Sequence, residues 1–339
     1  LSFGSSAALE TAMASLSSHA GIVSVEPDWL LKADAIANDP AFQNGSMWGM
    51  SGDLSTPSNA FGSQAAEAWA KDLTGSTRTV VGIIDSGIDY RHPDLYLNIF
   101  LNQGEIPQSF RSALVDTDQD GLITFRDLNN SANAAFVRDV NGTGYIDAGD
   151  LLNDSRWEDR ADSDGNGYLD DLVGWDFANN DNDPFDDFRH GTHVAGTIGA
   201  VGGDGRGVAG VDWAIQMIPL KFISSAGTGT ISAATQSLNY YTALAVKNAA
   251  TANFVGTNNS WGGGSYSNAM NAAIVNTARA GQLFIAAAGN NSTDTDSSAN
   301  YPVNYSTIGG VGYEAVIAVA ALTSTGGLAS FSNYGRTTV

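Results

Sequence analysis

Short apolar runs recur along the chain and alternate with segments in which apolar residues follow a helical spacing and glycines mark the ends. Runs without polar alternation are typical of parallel strands buried on both faces, and their alternation with helices predicts an α/β fold. We therefore expect a mainly parallel sheet flanked by helices. The predicted strands are residues 79–85, 214–222, 254–258, 283–287 and 316–320.

The first 40 residues follow a different pattern. Residues 7–19 predict a helix, residues 22–26 a short strand and residues 33–40 a polar connection. We expect residues 1–40 to form a small unit of their own, ahead of a main domain over residues 41–339.

The charge of the chain narrows the functions that it can have. Its 15 basic and 36 acidic residues give a formal net charge of −21, which argues against nucleic acid or an anionic membrane as a partner. Residues 116–187 alone hold 19 acidic and four basic residues, and such local acidity favours bound cations. The absence of cysteine excludes disulfides, thiolate metal sites and a thiol nucleophile. No apolar run approaches the roughly 18 residues of a membrane span.

Candidate catalytic residues lie where predicted strands end, which is where open α/β sheets collect their functional groups. Asp85 ends a strand in Val-Val-Gly-Ile-Ile-Asp-Ser-Gly, and Asn290 follows one in Ala-Ala-Ala-Gly-Asn-Asn. His190 begins a small-residue helix in His-Gly-Thr-His-Val-Ala-Gly-Thr. These motifs resemble, in the same order, those of the subtilisin-like serine proteases, the subtilases. Shorter matches extend the resemblance over residues 48–339, apart from one insertion, at residues 92–95, 207–210, 259–263, 301–302 and 331–335.

The resemblance implies a three-layer subtilisin-like fold and a serine endopeptidase that hydrolyses peptide bonds with an Asp-His-Ser triad. Asp85 would orient the imidazole, His190 would act as the general base, and Asn290 would donate its amide to the oxyanion. Histidine suits the base because it titrates near neutrality. A neutral amide stabilises an oxyanion without competing for the proton.

His193 follows His190 by three residues, which is about one turn of a helix. A histidine pair that binds a metal is one interpretation, although no third ligand of matching pattern follows. The other interpretation is that His193 packs beneath the helix.

Two segments match the walls of the peptide cleft in this family, residues 224–229 and 260–263. Glycine lets a peptide backbone approach closely, and a tryptophan favours apolar or aromatic side chains of the substrate. Ser260 matches a wall of the specificity pocket, so we interpret it as structural and not as the nucleophile. The implied substrate-binding residues are Gly227, Gly229, Ser260, Trp261 and Gly262.

The Gly-Thr-Ser-Met-Ala type of motif that carries the nucleophile in subtilases does not occur in the sequence. We therefore expect the 339 residues alone to be inactive, with the serine encoded beyond them. The rival hypothesis is a calcium-binding or peptide-binding pseudoprotease whose natural chain has no such serine. Residues 21–28 resemble the end of an inhibitory propeptide, which predicts a secreted, monomeric zymogen that is cut between Asp28 and Trp48.

The acidic insertion, residues 108–160, contains two loops with the spacing of EF-hand calcium sites. Both have Asp at position 12, as dockerin modules do, and a third, incomplete match has Val173 there. The alternative is a solvated acidic loop, but regularly spaced carboxylates around a fixed glycine repel one another without a cation, which favours calcium. The number of ligands disfavours magnesium.

The predicted calcium ligands are Asp116, Asp118, Asp120, Leu122 and Asp127 in the first loop, Asp139, Asn141, Thr143, Tyr145 and Asp150 in the second, and Asp162, Asp164 and Asn166 in the third. Asp94 and Asp204 are added because their segments match a structural calcium site of subtilisins, and Gln64 is a weaker addition.

Overall fold

The computed structural model describes residues 6–19, 21–22, 25 and 37–339. The chain comprises two compact units, Leu1–Asp34 and Ala35–Val339. In the first unit, α1 covers Ser6–Ser17, close to the helix predicted over residues 7–19. Most of the strand predicted at residues 22–26, and most of the segment 21–28 that resembles a propeptide ending, lies outside the described residues.

The second unit is built on one six-stranded parallel sheet. Its strands are β1 (Gly75–Asp85), β2 (Trp175–Asp176), β3 (Ala214–Lys221), β4 (Asn253–Asn259), β5 (Leu283–Ala287) and β6 (Val316–Val319). They lie in the order β2-β3-β1-β4-β5-β6. The five predicted strands are all present, although β1 begins four residues before the predicted start. β2, a two-residue edge strand, was not predicted.

Helices cover both faces of the sheet, which confirms the predicted α/β class. Successive residues of a strand point to opposite faces, so β1 sends Val80 and Ile84 into one hydrophobic core and Ile83 into the other. The first core includes residues of α7 (Ile231–Lys247) and α8 (Asn268–Arg279), and the second includes Ala195 of α6 (His190–Gly199). The helices of this unit are α2 (Pro40–Gln43), α3 (Ala65–Trp69), α4 (Phe125–Leu128), α5 (Ala148–Leu151), α6 (His190–Gly199), α7 (Ile231–Lys247), α8 (Asn268–Arg279) and α9 (Ile308–Val311).

The acidic insertion contains only short helices. α4 and α5 are single turns, and the 3-10 turn Ser131–Asn133 follows α4. α4 and α5 each begin with a capping box, in which the N-cap residue and the third residue of the helix each bond through the side chain to the backbone of the other's end of the turn. The pairs are Thr124 with Asp127, and Asp147 with Asp150. Between the two loops the described chain therefore forms only α4 and this 3-10 turn, each a single turn long. None of the helices in the described part of the chain combines the length and apolarity needed to cross a membrane.

Candidate active site

Asp85 and His190 meet at the carboxyl end of β1. Oδ1 of Asp85, a fully buried residue, lies 2.7 Å from Nδ1 of His190 and accepts the N–H of Ser86 over 2.7 Å. His190 is the first residue of α6, and its side chain is 45% exposed. Because Asp85 engages Nδ1, Nε2 is the nitrogen left to take a proton from another group.

The surroundings of His190 favour its charged form. The hydrogen bond with Asp85 raises the pKa of His190 above its usual value, burial opposes this rise, and the charges of Asp85 and Asp186 add to it. A buried carboxylate beside an imidazole stabilises the imidazolium that forms when the ring accepts a proton. The pair therefore has the geometry and the electrostatics of a general base.

Asn290 lies exposed in the turn after β5. The preceding residue, Gly289, has a φ of 108°, and a Cβ there would lie 2.5 Å from Nδ2 of Asn333. Asn333 donates to the carbonyl of Ala288 and accepts the N–H of Asn291. It therefore fixes the turn that presents Asn290. Sequence analysis assigned Asn333 no role, because its partners lie about 42 residues away along the chain.

The first predicted cleft wall follows β3. Residues 224–229 form a hairpin that is closed by an antiparallel bridge between Ile223 and Gly229. A Cβ on Gly227 would lie 2.6 Å from the ring of Phe188, and one on Gly229 would meet a backbone carbonyl at 2.4 Å. The φ of 74° at Gly227 and the backbone contact at Gly229 thus favour glycine at both positions, whether or not a peptide is bound.

The second predicted wall follows β4, beside β1 in the sheet. Oγ of Ser260 accepts a hydrogen bond from Nδ2 of Asn258 over 2.8 Å, which agrees with a structural role. Trp261 packs edge-on against Phe222 with ring centroids 5.0 Å apart. Its Nε1 is buried and has no acceptor among the residues that the structure describes, while Gly262 is exposed. This wall therefore combines an aromatic surface with an unused donor.

His193 is exposed on α6, so the interpretation that it packs beneath the helix is wrong. Three residues make nearly one helical turn, so His193 lies on nearly the same side as His190, which is also exposed. It lines a cavity of about 690 Å³ together with His92 and Met50. Within the described ranges, no group of three metal-ligating side chains includes His193.

The first predicted calcium loop brings three carboxylates together. One oxygen from each of Asp116, Asp118 and Asp120 lies within 4.8 Å of the other two. Burial raises the pKa of Asp118, and the nearby charges of Asp120 and Asp127 add to the rise. Since each carboxylate disfavours the charged form of its neighbours, this arrangement suits a cation.

In the second predicted loop the first aspartate bonds to the backbone as in the first loop, but fewer carboxylates lie close together. The carboxylate of Asp139 accepts backbone N–H groups from residues three to five places later. The side chains of Asn141 and Thr143 donate to Asp147. Burial raises the pKa of Asp147. The loops begin at Asp116, Asp139 and Asp162, a constant spacing of 23 residues.

The residues at position 12 of both loops bond to the backbone. Oδ2 of Asp127 accepts the N–H of Thr124 over 2.8 Å, and Oδ2 of Asp150 accepts the N–H of Asp147 over 2.9 Å. The second oxygen of each also accepts a backbone N–H. Neither residue belongs to a three-carboxylate group in the described part of the chain.

The residues at position 7, whose carbonyls are the predicted ligands, anchor the loops. Leu122 is buried in the hydrophobic core. Tyr145 stacks on Tyr96 with ring centroids 3.9 Å apart, and its hydroxyl donates to the carbonyl of Arg91 over 2.5 Å. The insertion is thereby attached to the segment that follows β1.

The second three-carboxylate group joins the third loop to a residue outside it. Oxygens of Glu105, Asp164 and Asp171 lie within 4.8 Å of one another. Burial raises the pKa of Glu105 to about 7 and that of Asp171 to about 8, and the charges of the neighbouring acids add to both rises. Asn166 donates to Asp171, while Asp162 accepts backbone N–H groups of its own loop.

Glu105 and Asp171 were not among the predicted ligands. Glu105 precedes Asp164 by 59 residues, so no spacing rule within a single loop connects them. The available signal in the sequence was a glutamate in a Gly-Glu-Ile-Pro segment just before the acidic insertion.

Asp94 and a further acidic residue, Asp39, both accept backbone N–H groups from the loop that carries Asp204. Asp94 is buried and accepts a backbone N–H from Val208 over 3.0 Å, while Asp204 is exposed. Oδ2 of Asp39 accepts the N–H of Gly203. Its Oδ1 is buried and has no hydrogen-bond partner in the described part of the chain. Burial raises the pKa of Asp39, and Asp204 adds to the rise. Gln64 is exposed before α3.

Comparisons with known proteins agree with this geometry. Residues 76–338 match the model of the subtilase family, peptidase S8. The extracellular protease of Xanthomonas campestris is 31% identical over 330 residues, which cover 96% of this chain and 45% of that protein. Subtilisin-like protease 1 of Plasmodium vivax is 29% identical over 223 residues, covering 65% and 26%. The thermophilic serine proteinase of a Bacillus species is 26% identical over 328 residues, covering 96% and 56%.

A solved structure of a cold-adapted subtilisin-like serine proteinase aligns with a TM-score of 0.43 and 22% identity, over 76% of this chain and 60% of that one. The chain spans about a quarter to somewhat more than half of the length of the three relatives named above. Because the family match covers well over half of the chain and includes the motifs around Asp85, His190 and Asn290, the chain belongs to the subtilase family.

Proposed function

We propose that the complete protein is a secreted serine endopeptidase, stabilised by calcium, that hydrolyses peptide bonds. The observation that carries this proposal is the 2.7 Å contact between Nδ1 of His190 and the buried carboxylate of Asp85. Membership of the subtilase family supports a protease, and a relative named extracellular protease supports secretion.

In the proposed reaction, Nε2 of His190 takes the proton of a serine hydroxyl as its oxygen attacks the peptide carbonyl. Asp85 holds the required tautomer and stabilises the imidazolium. Asn290 donates an amide N–H to the oxyanion of the tetrahedral intermediate. His190 then returns the proton to the leaving amine, and water hydrolyses the acyl-enzyme by the same steps in reverse.

The nucleophilic serine, in this proposal, lies outside the 339 residues. The Gly-Thr-Ser-Met-Ala type of motif is absent from the sequence, and the relatives are longer than the part that they share with this chain. Ser260 is unsuited to the role, because its hydroxyl is bonded to Asn258 at the end of β4.

Calcium is the cation that we propose for the acidic clusters. Glu105, Asp164 and Asp171 offer the hard oxygen ligands that calcium prefers, and a bound ion would balance charges that burial otherwise disfavours. The Asp116 loop and the surroundings of Asp39 would hold further ions in the same way. The Asp139 loop brings together fewer carboxylates, so we expect weaker binding there. In each case the ion would stabilise the fold and take no part in the reaction.

The proposed substrate is a protein or peptide with an apolar or aromatic side chain next to the cleaved bond. Trp261 and Phe222 give one wall an aromatic surface, and Phe188 lies against the other at Gly227. The resemblance of residues 21–28 to a propeptide ending supports an inhibitory role for the N-terminal segment until it is cut. We further propose that the enzyme acts as a monomer.

Expression of the complete reading frame tests the proposal. Purified protein should cleave peptides that contain aromatic residues, and His190→Ala should lose activity by about 10⁴-fold or more. His193→Ala is a matched control, because it removes another exposed histidine of α6 and should leave activity unchanged. A reading frame without a serine motif, together with no cleavage of any peptide, would identify a pseudoprotease that binds calcium or peptides instead.

A further inference from the structure

Asp186 connects the segments that carry Asp85 and His190. Asp186 is only 6% exposed, and its carboxylate accepts five hydrogen bonds. Oδ1 accepts from Oγ of Ser86 over 2.9 Å, and Oδ2 accepts from the N–H and the hydroxyl of Thr192 over 2.8 and 2.6 Å. Ser86 directly follows Asp85, and Thr192 lies in the first turn of α6.

A second set of bonds closes this connection. Oγ of Ser86 accepts the N–H of Gly191 over 2.9 Å. The N–H of Ser86 donates to Oδ1 of Asp85, the same oxygen that contacts His190. The turn after β1 and the first turn of α6 thus share one network, in which Asp186 makes the largest number of bonds.

The same carboxylate stabilises an uncommon backbone conformation directly before His190. Arg189 has a φ of 77° and a ψ of −14°, in the left-handed region that residues other than glycine seldom adopt. Oδ1 of Asp186 accepts the N–H groups of Phe188 and Arg189 over 2.9 and 2.8 Å. Such conformations persist where surrounding contacts over-determine them. The direction in which His190 leaves the backbone therefore depends on Asp186.

The start of α6 also lacks an ordinary cap. Arg189, at the N-cap position, makes no side-chain capping bond, and Asp186 and Ser86 accept the N–H groups of Thr192 and Gly191 in its place. The positive end of the helix dipole disfavours a positive charge on the first residue, which is His190. The buried negative charge of Asp186 opposes that effect.

From this geometry we infer that Asp186 is a positioning residue of the peptidase reaction, which sets the direction of the His190 ring and supports its positive charge through the first turn of α6. Its importance for catalysis rests on the proposed function, but the geometry can be measured without peptidase activity. The charged groups that act on the ring are Asp85 on β1 and Asp186 before α6, while Arg189 and His193 are the titratable residues that flank His190 along the chain.

NMR spectroscopy of the histidine ring nitrogens in the 339-residue chain tests the inference. The variants are Asp186→Asn and the matched control Asp187→Asn, and His190→Ala identifies the His190 signal. Asp187 carries the same charge one residue away and pairs with the buried Lys221, but its side chain is 41% exposed and makes none of the bonds described for Asp186. We expect Asp186→Asn to move the titration midpoint of His190 to lower pH and to speed exchange of its Nδ1 proton with water. Asp187→Asn leaves the five bonds of Asp186 in place and should change both far less.

Ser86→Ala gives a second arm in case Asp186→Asn does not fold. It keeps the charge of Asp186 but removes the hydroxyl that joins Asp186 to the turn after β1. We expect faster exchange of the Nδ1 proton, with a smaller change in the midpoint than in Asp186→Asn. Unchanged exchange in the folded variants, or equal changes in Asp187→Asn, would overturn the inference. A complete protein without peptidase activity would overturn the proposed function and leave the NMR result standing.

Discussion

Nζ of Lys221 lies 2.7 Å from Oδ1 of Asp187, although the lysine side chain is only 2% exposed. The ammonium group also donates to the carbonyl of Phe185 over 2.8 Å and lies 3.8 Å from Oδ2 of the buried Asp176. Lys221 pairs with Asp85 in the register of β1 and β3. A buried cation thus holds the segment that leads into α6 against the strand ends.

Replacing Lys221 should therefore destabilise the fold. Lys221→Met leaves Asp176 buried without its cation, and loss of one partner from a buried ion pair costs about 3–5 kcal/mol. Because Asp187 can regain solvent, we expect a fall of about 3 kcal/mol in the free energy of unfolding. Urea unfolding measures it. Lys71→Met, at an exposed lysine, should change the value by less than about 0.5 kcal/mol. Similar losses in the two variants would contradict the assigned role.

Asn290→Ala in the complete protein should lower kcat and change KM little. The loss measured for one oxyanion-hole amide in subtilisin is about 10²- to 10³-fold, and we adopt that value here. Steady-state kinetics on a peptide substrate measures the effect. Asn291→Ala removes the side-chain amide of the next residue but keeps its backbone N–H, which donates to Asn333. This control should keep kcat within about 3-fold. If KM rises while kcat stays the same, Asn290 binds substrate and does not stabilise the oxyanion.

The pH dependence follows from the direction of the His190 shift. Only neutral His190 accepts a proton, and Asp85 raises its pKa above the usual 6.5, so kcat/KM should rise with pH through and above that value. Asp85→Asn should move the rise to lower pH and reduce the rate by about 10⁴-fold. A rise that stays at the same pH in this variant would show that another group controls it.

The same shift has an opposite consequence for stability. A histidine with a raised pKa in the folded state contributes stability that is fully present below its usual pKa and is lost as pH rises through the raised one. Urea unfolding below and above neutrality should therefore show a larger loss for His190→Ala at the lower pH. An equal loss at both would argue against the shift.

Calcium removal should lower the melting temperature of the folded chain. An ion present at a hundred times its dissociation constant stabilises by about 2.7 kcal/mol per site, which is roughly 4 °C for a chain of this size. Glu105→Gln should remove the part of the calcium-dependent shift that comes from the Glu105, Asp164 and Asp171 site. In chelator it should be at least as stable as the unaltered chain, because it removes one of three repelling charges. Glu10→Gln, at an exposed glutamate, serves as the control.

Local pattern accounts for the parts of the fold and site that the sequence predicted. Buried parallel strands are apolar throughout, so five of the six strands could be predicted from their apolar runs. The two residues of β2 are too few to form such a run. Asp85, His190 and Asn290 lie in short contiguous motifs. Asp186 and Glu105 act through partners 100 and 59 residues away, and only the folded chain brings them together.

In each acidic loop, the first aspartate already accepts the backbone N–H groups of residues three to five places later. These hydrogen bonds already hold the backbone of each loop in place. Binding of a cation would therefore order the loop only a little further. Losing the ion would then alter the charge of the loop more than its shape. The electrostatic field on this side of the protein would follow the surrounding calcium concentration while the backbone stayed the same.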